Sequence, residues 1–412
     1  MLVGLSGRNL VGALLALEVV VVAVLFALKV FDGQDLEVYI GGARLLVDSG
    51  DPYSAWVQTH GGPLPFTYTP FAAAVFLPGT LLSAALATRL AGLATIIAGG
   101  IVVYLFVATL NGSLTDRSDV RGRAVAVLVA IGAQAVGGFM EPVRSTLGFG
   151  QVNTLLMLMV ALDALLPGRA RTRGLLIGVA AAIKLTPAVF ILFFLCRKDF
   201  RSSARVVAGF LGAGLLMLLT APGASAKFWT NILFDTSRIG DRGYVGNQSL
   251  RGMLARFGLG SAEDVVWLLA AFVVVALTAF VIVRVAEPVL ALAACAVGGL
   301  LVSPVSWTHH WIWCVPILAL LCYLGARGDR ALSVVSYALA VVTAVLFVVA
   351  PMWLAPRPAG SFGWWLATES FVLYGLLLLL FFALVAREGP LPSVGHSKPQ
   401  PREGGLHARK VS

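Results

Sequence analysis

Apolar runs of span length alternate with short basic clusters along most of the chain. A bilayer core takes about 20 residues of helix, and cytosolic loops are enriched in Lys and Arg. Under these two rules residues 11–31 form a first span running outward from Arg8, an uncleaved signal anchor with no small-residue cleavage site before Asp32. Residues 32–65 follow as an exterior loop, and the Pro-punctuated stretch 66–82 as a juxtamembrane or re-entrant helix. Further spans fall near 85–110, 124–140, 151–167, 203–220, 263–283, 289–303, 310–325, 331–354 and 365–386. Segments 141–150, 221–262, 304–309 and 355–364 come out exterior, and 111–123, 284–287 and 327–330 inside.

One run breaks the alternation. Residues 174–196 are apolar around a lone Lys184, yet basic clusters flank both sides, 168–173 (GRARTR) and 197–201 (RKDFR). Both clusters stay inside only if the run is a helical hairpin broken near 184–187 (KLTP). Non-helical backbone at membrane depth is tolerated where it is buried in protein or lines a cavity, so the break stands out; Lys184 reads either as a cation of a site or as a residue that snorkels or caps a helix end. The expected fold is an all-α polytopic transmembrane bundle of about 10–13 spans. It covers residues 1–386 as one domain, with an extracytoplasmic loop carrying a juxtamembrane helix after the first span. A polar tail, 387–412, lacks the apolar residues to fold and is expected to be disordered and cytosolic.

Composition agrees with lipid as the main solvent. Of 412 residues 59% are hydrophobic and 12% charged, with a mean hydropathy of +0.91, whereas soluble domains carry about 25% charged residues. The net charge of +10 lies in loop clusters rather than on a basic face with interleaved aromatics, which excludes nucleic acid as the partner. All four cysteines fall inside apolar runs without a CxxC, so neither a disulfide framework nor a cysteine metal site is expected.

The unusual polar residues collect on the exterior side. Residues 35–47 carry Leu36, Tyr39, Ile40, Ala43, Leu46 and Val47 at helical spacing, a surface helix with Asp35 as its N-cap or first-turn residue. The plainer role for Asp35 is capping; the chemical one is a base beside a cavity. Charged residues near membrane depth usually face a cavity, which draws in Arg144 of the 141–150 turn, Gln151, Asn153 and Lys184. Segment 246–252 (GNQSLRG) offers amide donors and Arg251, suited to phosphate or sugar hydroxyls, though it also reads as an ordinary polar turn and is no Walker loop. His309 and His310 are two of only five histidines, but lack the carboxylate or cysteine neighbours of a metal set.

Six segments occur in a telling order: 35–43 (DLEVYIGGA), 64–71 (LPFTYTPF), 150–153 (GQVN), 184–187 (KLTP), 247–252 (NQSLRG) and 303–310 (SPVSWTHH). Together they resemble the GT-C-type polyprenol-phosphate-mannose-dependent mannosyltransferases of glycosyltransferase family 87, over roughly residues 30–320. The resemblance implies a GT-C-like bundle in the plasma membrane, with its site facing the extracytoplasmic side. Polyprenyl-phosphate-mannose would be the lipid-linked donor substrate. A glycolipid of the phosphatidylinositol mannoside or lipomannan type would be the acceptor, elongated in α-(1→2) linkage. The resemblance makes Asp35 the general base, and either His309 or His310 the family's histidine for catalysis or donor phosphate. Tyr68, Gln151, Asn153, Lys184, Asn247, Gln248 and Arg251, with Arg144, are the expected donor-phosphate or substrate-binding residues. Turning a β-linked mannosyl phosphate into an α-mannoside is one inverting displacement. The leaving phosphate is already anionic, so one base suffices, unlike the two carboxylates of glycoside hydrolysis. With no acidic cluster for a divalent ion, metal independence is expected and no cofactor is implied. The alternatives are another polyprenyl-phosphate sugar, such as arabinofuranose, as donor, or a lipid-linked glycan flippase. Transporters tend to show internal repeats and several broken helices.

Overall fold

The computed structural model describes residues 32–116, 118–355 and 361–387; the predicted first span and the predicted tail beyond Arg387 lie outside them. Among the described residues the regular structure is helical apart from one antiparallel hairpin, so the protein is an all-α polytopic membrane protein. Seven described helices are long and apolar enough to cross a bilayer, or eight if one bent pair counts as a span.

The loop after the predicted first span is more ordered than its Gly and Pro content suggests. It folds into α1 (Gln34–Ser49), the hairpin β1 (Trp56–Thr59) and β2 (Gly62–Pro65), α2 (Pro70–Val75), and a 3-10 turn, Leu77–Leu81. Helix α1 buries Leu36, Val38, Tyr39, Ile40 and Ala43, while Val47, predicted on that face, is 68% exposed. The hairpin and Phe66 sit close on this helix because residues 41 and 42 are glycines. A Cβ would lie 2.2 Å from Val57 at position 41 and 2.2 Å from the Phe66 ring at position 42. The stretch 66–82 is thus a pair of short surface turns, not a span.

Spans α3 (Ala84–Leu110) and α4 (Val120–Gly137) lead into α5 (Glu141–Phe149) and α6 (Asn153–Leu165), which meet at 112°. The predicted exterior turn at 141–150 is therefore a short helix. Pro142 suits its first turn, and Gly150, left-handed at φ 68°, ends it.

The predicted hairpin is present. Helix α7 (Leu175–Ile183) stops at Lys184, which is extended at φ −141° and ψ 127°; Thr186–Phe190 coil as 3-10, and α8 (Ile191–Cys196) follows. Gly174 packs on the backbone of Ser202 and donates to Asp163 near the C-terminal end of α6. Lys184 instead reaches Asn153, at the opposite end of α6. Arg197 returns beside α9 (Phe200–Thr220) and donates to the carbonyls of Val285 and Ala286. The first leg is about 14 Å long at 1.5 Å per residue, near half a hydrocarbon core.

The chain continues through α10 (Pro222–Thr230), α11 (Leu250–Phe257), α12 (Glu263–Arg284), α13 (Pro288–Val302), α14 (Cys314–Arg327), α15 (Arg330–Val349), α16 (Phe362–Thr368) and α17 (Ser370–Arg387). Helix α13 has 15 residues, short for a span, and is buried from Val289 to Gly298, so it is solvated by protein rather than lipid. The predicted span at 365–386 is interrupted where Glu369, 1% exposed, forms an ion pair with Arg256.

Turns with basic character gather at one end of the bundle. Tyr323 donates to the Leu110 carbonyl and stacks under Arg327, while Arg197 holds 285–286. Helices beginning at these turns are capped by acids, Asp119, Asp199, Glu287 and Asp329, which the neighbouring arginines offset. Helix caps Ser83, Ser249 and Ser361 are neutral. The candidate site lies at the end away from the basic turns.

Candidate active site

Gly33, left-handed at φ 84°, is the N-cap of α1, and its N–H and that of Asp32 both donate to the Gly148 carbonyl at the end of α5. A Cβ at Gly150 would lie 2.8 Å from that of Leu36, so close packing there needs glycine. These contacts set the first turn of α1 against the α5–α6 corner. Asp35 stands in that turn, as expected, but its side chain does not cap the helix. Its Oδ2 accepts a hydrogen bond of 2.5 Å from Gln151 Nε2.

From Gln151 the contacts branch. Its Oε1 accepts from the Tyr39 hydroxyl at 2.9 Å and from Lys184 Nζ at 3.4 Å. Lys184 also donates to Asn153 Oδ1 at 2.9 Å and lies 3.1 Å from His310 Nε2. Its ammonium sits 5.7 Å from the centre of the Tyr68 ring, which packs 4.6 Å from Tyr39. Asn153 in turn donates to the His309 carbonyl. The two half-membrane breaks, at 150–153 and 184–187, thus meet the segment 303–310 and α1 at one place. Lys184 forms no ion pair within 4 Å among the described residues, although Asp35 acts on it electrostatically.

Burial raises the Asp35 carboxyl above the ordinary value of 3.8, and the Gln151 hydrogen bond and the Lys184 charge pull it back. The result is a carboxylate more basic than a solvated aspartate. Burial also pushes the Tyr68 hydroxyl upward, so it stays neutral and can serve as a donor.

Two cavities flank this cluster. One of about 530 Å³ is lined by Asp35, Glu141, Arg144, His309 and the aromatics Phe149, Tyr244, Trp307 and Trp353. The other, about 390 Å³ and mainly apolar, runs along Asn153, Leu185, Pro187, Phe190, Trp267, Leu300 and His310. The adjacent histidines serve different cavities. They belong to a 3-10 turn, Thr308–Trp313, which advances about 120° per residue, and their rings stand at 87° to one another.

Three of the expected binding residues are elsewhere. Asn247 and Gln248 are fully buried and committed to backbone groups. Asn247 donates to the carbonyls of Arg242 and Pro304 and accepts from the Ser306 N–H. Gln248 donates to the carbonyls of Val245 and Thr368 and accepts from the Phe371 N–H. Arg251 is paired with Asp264 at 2.5 Å and stacks on Trp267 at 4.6 Å. These three make contacts other than the expected ones: the first two hold the loop, and the guanidinium is paired with Asp264. Arg144 does reach the larger cavity, exposed and without an ion pair among the described residues. The sequence reading placed Glu141, one turn before Arg144, in the polar exterior turn without giving it a role, and overlooked the cavity aromatics Tyr244 and Trp353.

Among the described residues no three His, Cys, Asp or Glu side chains come together as a metal set. The cluster therefore brings together a carboxylate, cations without an ion pair among the described residues and amide donors, beside a mainly apolar cavity.

Comparison with known proteins bears on this arrangement. The profile of Glycosyltransferase family 87 matches residues 66–304, a stretch holding Tyr68, Arg144, Gln151, Asn153 and Lys184 but ending before His309. A Mycolicibacterium smegmatis protein, the polyprenol-phosphate-mannose-dependent alpha-(1-2)-phosphatidylinositol mannoside mannosyltransferase, is 36% identical over 371 residues, 83% of each chain. Its Mycobacterium tuberculosis namesake is 35% identical over 85% of this chain and 84% of its own. The polyprenol-phosphate-mannose-dependent alpha-(1-2)-phosphatidylinositol pentamannoside mannosyltransferase of M. smegmatis is 34% identical over 86% of each. With more than half of its length matched by the family profile and relatives of this identity along most of it, the chain belongs to glycosyltransferase family 87.

Proposed function

We propose that this enzyme transfers mannose from polyprenyl-phosphate-mannose to a phosphatidylinositol mannoside, in α-(1→2) linkage and with inversion, at the extracytoplasmic face of the plasma membrane. The observation that carries the reading is the cluster itself. A base-type carboxylate, Asp35, lines the larger cavity, and Lys184, a cation without an ion pair among the described residues, joins it through Gln151 to the wall of the apolar one. The names of the relatives supply donor and acceptor class.

The acceptor hydroxyl enters the larger cavity and meets Asp35, which takes its proton as the oxygen attacks the anomeric carbon. The mannosyl C1–O bond breaks and the lipid phosphate leaves with the bonding pair. Lys184, His310 and Asn153 stabilise the charge that builds on that phosphate, and the polyprenyl chain occupies the apolar cavity. Gln151 orients the Asp35 carboxylate, and Tyr39 and Lys184 orient Gln151. No step calls for a divalent ion, so we propose metal independence.

The test is transfer by purified protein in vesicles, with labelled polyprenyl-phosphate-mannose and phosphatidylinositol mannosides, with and without chelator. We expect an α-(1→2)-mannosylated product at the same rate in both. Transfer from polyprenyl-phosphate-arabinofuranose but not from the mannose donor overturns the donor assignment. Loss of activity with chelator, restored by a divalent ion, overturns metal independence.

A further inference from the structure

In the wall of the larger cavity two polar atoms have, among the described residues, neither a hydrogen-bond partner nor contact with solvent: Glu141 Oε2 and His309 Nε2. Their side chains are 6% and 7% exposed, and both line the cavity that Asp35 lines. A buried polar group without a partner destabilises the fold, so an unsatisfied pair beside one cavity calls for something that enters it. The rest of Glu141 is firmly held. Its Oε1 accepts from Ser145 at 2.6 Å and from Thr308 at 2.7 Å, so Oε2 is the oxygen left without a partner among the described residues. The Trp353 indole approaches the carboxylate without completing a hydrogen bond to Oε2. Trp353 is 42% exposed, so its indole is not enclosed by protein.

We propose that Glu141 binds the terminal sugar of the acceptor, its Oε2 accepting a hydrogen bond from a hydroxyl that is not the one glycosylated. This rests on the transferase reading above and assigns the larger cavity to the acceptor. Three features of the cavity match a hexose. Carboxylate oxygens accept charge-assisted hydrogen bonds from hydroxyls. Tyr244 stands 6.0 Å from both Trp307 and Trp353, giving apolar ring faces for the C–H side of a sugar. Nε2 of His309, across the Thr308 peptide from Glu141's own partner, provides a second contact for the same ring. Glu141 is not the base: Asp35 is the carboxylate joined to the Lys184 cluster, and inversion needs one.

The experiment pairs Glu141→Gln, which keeps an acceptor for Ser145 and Thr308, with monodeoxy analogues of the acceptor's terminal mannose. For the natural acceptor, the variant's KM should rise roughly 10- to 100-fold, with the donor KM unchanged and most of kcat kept at saturation. One deoxy acceptor should be poor for the native enzyme yet no worse for the variant, since the hydrogen bond is already missing. If every deoxy acceptor loses equally in both proteins, or kcat collapses with acceptor KM unchanged, the assignment is overturned. Native enzyme inactive on phosphatidylinositol mannosides with either donor overturns the transferase reading instead, and the assignment with it. Matching thermal transitions of the two proteins separate loss of binding from loss of fold.

Discussion

Segments 150–153 (GQVN) and 246–252 (GNQSLRG) look alike as text: glycine, then amides, between apolar runs. Both amide pairs are buried, Gln151 at 4% and Asn153 at 9% exposure, Asn247 and Gln248 at 0%. Their partners differ. Gln151 bonds to the side chains of Asp35, Tyr39 and Lys184, and Asn153 to Lys184 as well as to the His309 carbonyl; the side-chain partners can exchange a partner for a substrate. Among the described residues the side chains of Asn247 and Gln248 bond only to backbone, from positions as far apart as Val245 and Phe371, and pin α17 to the loop that carries Tyr244. An amide's role is set by what it faces, not by its type: side-chain partners make a site, backbone partners make a joint.

The comparison is sharpened most by Asp35→Asn, the substitution closest to the chemistry. Removing a general base costs about 10²–10⁴-fold in rate, so kcat should fall by that much in a protein that still folds. The native pH profile carries the sign. A base works deprotonated, and burial raises Asp35 above 3.8, so kcat/KM should fall with acid at a pH above the ordinary aspartate range. An acid limb at the ordinary value, or none, would remove Asp35 from the role.

Next come matched substitutions in the two segments. Gln151→Leu or Lys184→Met should lower kcat by about 10- to 100-fold through a misoriented base or an unstabilised phosphate, with a smaller loss of thermal stability than at Gln248, because Asp35 and Asn153 line cavities where water can replace the missing partner. Gln248→Leu strands the Phe371 N–H and the Thr368 carbonyl, at a cost of about 2–4 kcal/mol of stability; the protein that does fold should keep its donor and acceptor KM. The reverse pattern, in stability and kinetics, would undo the distinction. Smaller still is Arg251→Met. Asp264 is 68% exposed, and pairs of that kind contribute about 0–1 kcal/mol, so both stability and turnover should barely move. A large loss of turnover would return Arg251 to the site.

What could be read from sequence follows the range of the interaction. The spans, the apolar face of α1 and the break at 184–187 depend on neighbours within a few turns, and hydrophobic period and proline report them. The convergence of Asp35, Gln151, Lys184 and the histidines came through as motif order. The fate of Gln248 did not, because its partners at Thr368 and Phe371 are more than a hundred residues away. Nor did the choice between His309 and His310, which turns on a 3-10 twist that directs each ring to a different cavity. Glu141 stood in the polar turn without a role for a third reason: what sets it apart is a bond its Oε2 lacks among the described residues.

The smallest effect tests whether a joint can also be built in water. His60, at the hairpin turn, sets Nε2 2.5 Å from Asp32 and Nδ1 3.0 Å from Glu37, while its N–H donates to Glu37 as well. Donating from both ring nitrogens requires the imidazolium, and the Glu37 hydrogen bond, helped by the two acidic charges, raises His60 above 6.5. A raised folded value means that the stabilisation is fully present below the unfolded value and is lost as pH rises through the folded one. With the ring 43% exposed, salt screens most of it. Amide protection at the turn, Thr59 to Gly62, should therefore weaken modestly with rising pH, after correction for intrinsic exchange, and more at low salt than at high. His60→Gln should remove the pH dependence while leaving kcat nearly intact, because Gly33, not the hairpin, fixes the first turn of α1 to the site. A hairpin whose protection ignores both pH and salt would mean that α1 and the glycines at 41 and 42 hold it alone.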